Sequence, residues 1–240
     1  KKFSVSGGAR AERSKIDSIQ EKWTPVFRGG INFNPVKGTY IRASVGQGYR
    51  FPSVAEKFIK TNVGSVVIYP NADLESERGV SYEIGVKQLF GFKKWTGYID
   101  VAVFRNEYKN MIEFSFAQWG ASSEPLIGNG FKSLNIGDTR IEGIDASLFI
   151  SGSLGKNWKV NAMTSITLLD PRQVSYDSAF IVKVGGIGTV MGSDSTDFLK
   201  YRSKSMIKAD LGVEWKKFEI GLSVRYTSRM ENIDKIFVSG

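Results

Sequence analysis

The chain has no histidine and no cysteine. Without histidine it lacks the commonest metal ligand and the commonest general base at neutral pH. Without cysteine it has no thiol nucleophile, no disulfide and no thiolate metal site. Proline is scarce, with 6 residues against 26 glycines in 240. That balance suits many turns and close strand approaches. No stretch comes near the ~18 apolar residues of a membrane helix. No P-loop, dinucleotide fingerprint or nucleophile elbow is present, so no cofactor is implied and no enzyme is expected. The carboxylates Asp73, Glu75 and Glu77 lie close in sequence but lack EF-hand spacing, and read as solvated loop acids. The net charge of +9 suits nucleic acid, an anionic surface or an anionic ligand. No basic run or basic helix face concentrates it, so nucleic acid is set aside.

What the chain does have is strict alternation. In its last ribbon Phe218, Ile220, Leu222, Val224 and Tyr226 point one way, while Glu219, Gly221, Ser223 and Arg225 point the other. Successive side chains of a strand lie on opposite faces, so the ribbon is apolar on one side and wet on the other. The pattern predicts strands over 3–13, 22–34, 39–50, 79–90, 95–116, 131–150, 158–168, 200–215 and 218–226. That is about nine strands in a large antiparallel sheet. The charges Arg10, Arg28, Arg42, Glu83, Lys87, Asp145, Lys159, Lys208, Asp210 and Glu214 all fall on the wet side.

The connections alternate in size. Tight turns fall at 34–38, 91–94, 153–157 and 216–217, and longer loops at 51–78, 119–130 and 170–197. Short turns on one rim and long loops on the other are the layout of a transmembrane β-barrel. Such strands need ~9–11 residues to cross the hydrocarbon. Trp95, Trp158 and Trp215 flank short turns, where amphipathic rings favour the headgroup zone. A sheet in lipid must close, because open edges leave backbone groups unpaired. Lys1, Lys2 and Phe3 lead straight into a strand with no signal peptide. For an envelope protein that suggests a fragment, residues 1–240 being part of one barrel with strands missing on both sides. Alternation alone also fits a soluble β-sandwich that binds carbohydrate, and a passive porin-like channel.

Two segments carry a resemblance. Tyr49, Arg50, Phe51 and Pro52 end one strand, and Asn71, Ala72, Asp73 and Leu74, with Glu75 and Glu77, lead into the next. Together they resemble the FRAP-like and NPNL-like pair of TonB-dependent outer-membrane receptors. The stretch 97–112 looks like that family's next strand, and 135–145 resembles its N-x-G-x-x-x-x-x-G-x-E pattern, with Asp145 in place of Glu. The final ribbon and its exit at 226–234 resemble receptors of Bacteroidetes. Two departures stand out: Ala72 replaces the usual proline, and 53–70 lacks the histidine of the family's haem receptors, which disfavours haem.

The resemblance implies an all-β partial barrel, nine of about 22 strands, in the bacterial outer membrane. It implies import of siderophore-bound iron, cobalamin or a glycan with TonB-supplied energy. The implied partners are outer-membrane lipid and lipopolysaccharide, the TonB complex through a plug outside this chain, a surface lipoprotein and the ligand. Arg50, Tyr69 and Trp119 are the candidate ligand contacts, with Phe116 and Phe131 nearby. Arg50 also has a structural reading, pairing with Glu56, and residues 54–59 read as a short loop helix capped by Ser53.

Overall fold

The computed structural model describes residues 2–16, 19–175 and 197–233. In chain order its strands are β1 (Phe3–Glu12), β2 (Lys15–Ile16), β3 (Ile19–Gln20), β4 (Thr24–Phe33), β5 (Thr39–Arg50), β6 (Thr61–Val63), β7 (Val66–Tyr69), β8 (Glu77–Phe92), β9 (Trp95–Lys109), β10 (Ile112–Gln118), β11 (Asn129–Asn135), β12 (Thr139–Leu154), β13 (Trp158–Gln173), β14 (Ser205–Trp215) and β15 (Phe218–Thr227). Among the described residues one α-helix, α1 (Val54–Phe58), lies between β5 and β6.

Nine of these strands form one sheet in the order β1-β4-β5-β8-β9-β12-β13-β14-β15. Every pairing in it is antiparallel, and the spatial order is the chain order. The register keeps each face uniform. One lateral row runs through Phe3, Phe33, Ile41, Val86, Val101, Ala146, Ile166, Ile207 and Tyr226, one residue from each strand. A neighbouring row on the other face holds Asn32, Arg42, Gly85, Ala102, Asp145 and Thr167. A one-residue slip anywhere would exchange the faces, so the alternation itself pins the register.

Among the described residues none covers the apolar face: Ile220 is 75% exposed. A soluble monomer rarely exposes a contiguous apolar patch above a few hundred Å2. This face is the one a partial barrel turns to lipid, and the polar face is its inner wall.

The four short turns lie where the alternation placed them. They turn on left-handed backbone at Gly38, Lys93, Gly155 and Lys216. Aromatic rings flank the last three on the apolar face. Phe92 pairs with Trp95, and Trp215 pairs with both Trp158 and Phe218. The Trp158 and Trp215 rings stack at 5.6 Å.

Several predicted strands have other ends. The run 95–116 breaks at Asn110, whose φ is 53°. Its second part, β10, leaves the wall and pairs with β11. The run 131–150 breaks likewise, at Gly137, with φ of 96°. The freed pieces join a second sheet, ordered β10-β11-β7-β6, over the long-loop rim. The loop 119–130 gives Asn129 and Gly130 to β11. Strand 158–168 continues to Gln173, because 169–173 find partners in β12. Strand 200–215 begins only at Ser205, after a left-handed residue at Tyr201. Of the loop 170–197, residues 176–196 lie outside the described ones, as does Asp234 of the final exit.

A continuous apolar core sits in this loop layer rather than in the wall. Met111, Leu134, Ile136 and Leu199 are buried together, with Tyr108, Trp119 and Ile141 packed on them.

Candidate functional site

The motif residues assemble at the foot of the loop layer. Pro52 and Ser53 redirect the chain, and Ser53 caps α1. Its hydroxyl accepts from the Glu56 N–H at 3.2 Å, and the Glu56 carboxylate accepts from the Ser53 N–H at 2.7 Å. This reciprocal pair is a capping box. Arg50 donates to the same carboxylate at 2.6 Å and reaches Glu77 at 4.0 Å. Burial pushes the Glu56 carboxyl up, but donors on Ser53 and Arg50 outweigh it and hold it below its usual range. Tyr49 and Phe51 meet edge to face at 4.6 Å. The helix and the structural pairing of Arg50 were both legible in the sequence.

The second motif segment ties this foot to the loops. Asn71 donates its N–H to the Glu56 carbonyl at 2.8 Å and its side-chain amide to the Ser133 carbonyl at 2.9 Å. Its own carbonyl accepts from Leu74, and its side-chain oxygen accepts from Asp73. Leu74 is buried, and its carbonyl accepts from Lys57 at 2.7 Å. Asn135 exchanges hydrogen bonds with Glu75 and donates to the Asn110 carbonyl at 2.9 Å. Asn110 donates to the Glu75 carboxylate, and Glu77 accepts the N–H of Ile112. Two loops far apart in sequence are latched by amides and carboxylates whose partners are mostly main chain. The motif is therefore a structural latch. Asn110 and Asn135 fall within the stretches 97–112 and 135–145 that carry the family resemblance, Asn135 as the first residue of its pattern, but the sequence did not single them out as the residues that fasten the loops.

Tyr69 ends β7 of the second sheet, and Trp119 directly follows β10. Tyr69 is buried, and its hydroxyl donates to Glu124 at 2.8 Å. Lys60 donates to the same carboxylate at 2.7 Å and stands 4.9 Å from the Tyr69 ring centre. Lys60 first, then Tyr69, hold the Glu124 carboxyl below its ordinary value, while burial and then Glu124 push the Tyr69 phenol up. Trp119 is half-buried, donates to the Ser115 carbonyl at 3.3 Å, and carries Lys132 over its ring at 5.5 Å. Lys132 is the register partner of Tyr69. Lys132 thus links Tyr69, its register partner, to the Trp119 ring, while Arg50 stays at the end of β5 in the wall. Phe131 stacks on Phe114 at 4.8 Å and meets Phe116 edge-on, which knits β10 to β11.

Below the loops, the inner wall carries a groove of about 720 Å3, bordered by Ser6, Arg28, Ser44, Glu83, Phe104 and Asp145. Arg42 crosses from β5 over β8 to β9, donating to Glu83 at 2.8 Å and Asp100 at 2.7 Å. It lies flat on Gly85, where a Cβ would meet the guanidinium carbon at 2.6 Å. Phe104 covers Gly143 in the same way. Among the described residues no cluster of carboxylates could hold a metal ion.

Comparison with known proteins agrees with this geometry. The family description "TonB dependent receptor-like, beta-barrel" matches residues 1–236. A hemoglobin and hemoglobin-haptoglobin-binding protein of Haemophilus ducreyi is 24% identical over 141 residues, 55% of this chain and 14% of that protein. Among solved structures, the hemophore receptor HasR of Serratia marcescens, in complex with its hemophore HasA and heme, has a TM-score of 0.59 at 16% identity. That likeness covers 94% of this chain and 39% of HasR. The copper transporter OprC has a TM-score of 0.59 at 17% identity, covering 94% of this chain and 32% of its own. These likenesses show a shared fold. The chain spans well under half the length of each of these relatives.

Proposed function

The chain belongs to the TonB-dependent receptor β-barrel family, and from that premise we propose that the full-length protein is a bacterial outer-membrane receptor importing a scarce nutrient with TonB-supplied energy. The observation that carries this reading is the family match together with the apolar row that crosses all nine strands of the wall. The ligand classes are siderophore-bound iron, cobalamin or a glycan. Relatives bear names tied to hemoglobin, a hemophore and copper. This chain offers no imidazole for a haem iron, so haem ranks behind the others.

In this reading the loop sheet captures the ligand and the grooved inner wall passes it inward once a plug outside this chain is pulled. Tyr69 and Trp119 serve capture by holding the loop sheet in shape beside Lys60 and Lys132. Arg50 serves by pinning α1 to the wall.

The test is genetic. The gene of the full-length protein is deleted, and the strain is grown on single limiting sources of iron chelate, cobalamin, glycan or haem. A defect on one source, reproduced by loss of TonB, establishes energised import and names the class. Normal growth on all of them, with altered leakage of small solutes instead, overturns the reading in favour of a passive channel.

A further inference from the structure

The inner wall lays planar side chains on glycines. Arg28 stands opposite Gly8, Arg42 opposite Gly85, Phe104 opposite Gly143 and Tyr108 opposite Gly79, each as a direct register pair. At each of these glycines the atom nearest to an added Cβ would belong to the partner's side chain, from 2.4 Å at Gly143 to 3.1 Å at Gly79. Any other residue there would prop the planar group up into the lumen. Phe104 and Arg28 lie down in this way at the groove of about 720 Å3, which keeps it open. Its volume falls in the ~300–1,000 Å3 range of small-molecule sites.

The groups around Phe104 suit one kind of solute. Its own lateral row runs through Glu83, Ser44, Gly30 and Ser6. The next row towards the loops holds Asn106, Ser81, Gly46 and Arg28, and Asp145 lies in the row on the other side. Ser44, Ser81, Asn106 and Arg28 make no side-chain hydrogen bond or ion pair among the described residues. Glu83 accepts from Arg42 and Asp145 from Thr167, each through one oxygen, which leaves the other free to accept. Donors and acceptors therefore surround a half-buried aromatic ring. Arg28 and Arg42 offset Glu83 and Asp145, so the groove has no surplus of either charge.

We propose that this groove is a transit site for a saccharide, with a pyranose ring stacked on Phe104. This rests on the import reading above and deepens it, selecting the glycan among its ligand classes and adding a station on the inner wall apart from the loop sheet. A pyranose has an apolar C–H face rimmed by hydroxyls that both donate and accept. The Phe104 ring covers the face with its own negative one. Glu83 and Asp145 accept from the rim, Asn106 and Arg28 donate to it, and Ser44 and Ser81 do either. A charged ferric chelate would find no countercharge here, and a corrin would need broader apolar contact than one ring.

The experiment places a single cysteine in the full-length receptor, otherwise cysteine-free, in detergent micelles. Ser44→Cys lies on the groove floor, and Ser147→Cys on the inner wall outside it. Labelling by a small methanethiosulfonate reagent is timed alone and with short fragments of α-glucan, β-glucan, mannan or xylan. Free S44C should label readily, and one saccharide class should slow it about tenfold at saturation while leaving S147C unchanged. Adding F104L should raise the saccharide concentration for half protection about tenfold, and F104Y, which keeps the ring, should restore it. Both variants keep bulk over Gly143, so packing is preserved while stacking is tested. S44C that is inert without saccharide shows a filled groove and overturns the proposal. So does protection by none of the four classes, or equal protection in F104L and wild type. Protection by ferrioxamine in place of a saccharide overturns the ligand class. If the deletion strain fails on an iron chelate while saccharide leaves S44C unprotected, import stands and this proposal alone falls. If saccharide protects S44C but loss of TonB changes no growth, energised import falls and the groove assignment stands.

Discussion

Asn135 and Glu75 hold each other by two hydrogen bonds, the Glu75 N–H donating to the Asn135 side-chain oxygen at 2.9 Å and the Asn135 amide donating to the Glu75 carbonyl at 3.1 Å. The residues are 60 positions apart. Each comes from a different long loop, so the pair fastens one loop to the other.

Asn135→Ala removes both bonds and the third to the Asn110 carbonyl, leaving main-chain groups unpartnered in a half-buried setting. The expected cost is ~2–4 kcal/mol of loop-layer stability. Hydrogen exchange of the full-length protein should show faster exchange in residues 71–77 and 110–118 together, with the wall unchanged. Exchange that stays as slow as in wild type would show that the latch is dispensable.

Gly97 and Gly85 should respond differently to alanine. At Gly97 a Cβ would stand 2.1 Å from the Phe149 carbonyl oxygen, and backbone cannot easily move. At Gly85 it would meet the far end of Arg42, which can swing aside. Gly97→Ala should lower stability by ~1–3 kcal/mol through overpacking. Gly85→Ala should cost less and act by loosening the Arg42 contacts to Glu83 and Asp100. The thermal midpoints of the two refolded variants decide this; equal losses would refute the distinction.

Val101→Arg and Ser147→Arg test which face meets lipid. Val101 is in the middle of the apolar row, and Ser147, the partner of Asp100, is on the inner wall. An arginine on the lipid side near the midplane costs ~2–4 kcal/mol, whereas one in the lumen is tolerated. Equilibrium unfolding of the full-length protein in lipid should show the penalty for the first variant alone. A matching penalty for the second would reverse or abolish the assignment of faces.

The carboxyl of Glu56 gives the α1 region a pH dependence with a definite sign. Its folded pKa is depressed, so its contribution is complete above the ordinary value of 4.5 and is lost as pH falls through the lowered one. Protection of the 53–58 amides, corrected for intrinsic exchange rates, should weaken below the ordinary carboxylate range in wild type. It should lose that pH dependence in Glu56→Gln. Ser53→Ala should cost about 1 kcal/mol at neutral pH by removing the cap.

The wall was legible because its cause is local. A two-residue period, read on Val80 to Val86 or on Phe218 to Tyr226, needs no knowledge of the partner strand. Where a strand stops is not local. Ile112, Phe114 and Phe116 alternate as a strand does, but in the opposite phase to Ile99, Val101 and Val103, and they belong to another sheet, because Asn110 turns the chain and β11 offers the ladder. The same blindness hid β7, whose Val66 to Tyr69 run looks like loop until its parallel partner β11 is known. At the candidate site the sequence indicated that Arg50 answers Glu56 and that Ser53 caps a helix, both short-range effects. It could not indicate that Asn71 reaches Ser133, since that contact exists only after two loops have met.

The sheet lists its strands in the order in which they follow one another along the chain. Such a wall can grow by accretion: each new hairpin adds to the current edge and nothing is threaded. Short closures at 34–38 and 216–217 cost little chain entropy, so hairpins joined there can zip early. The loop layer is different, because β7 must find β11 across an intervening stretch of wall already in place. The connectivity thus implies a schedule, with the wall laid down first and the loop layer closed over it last.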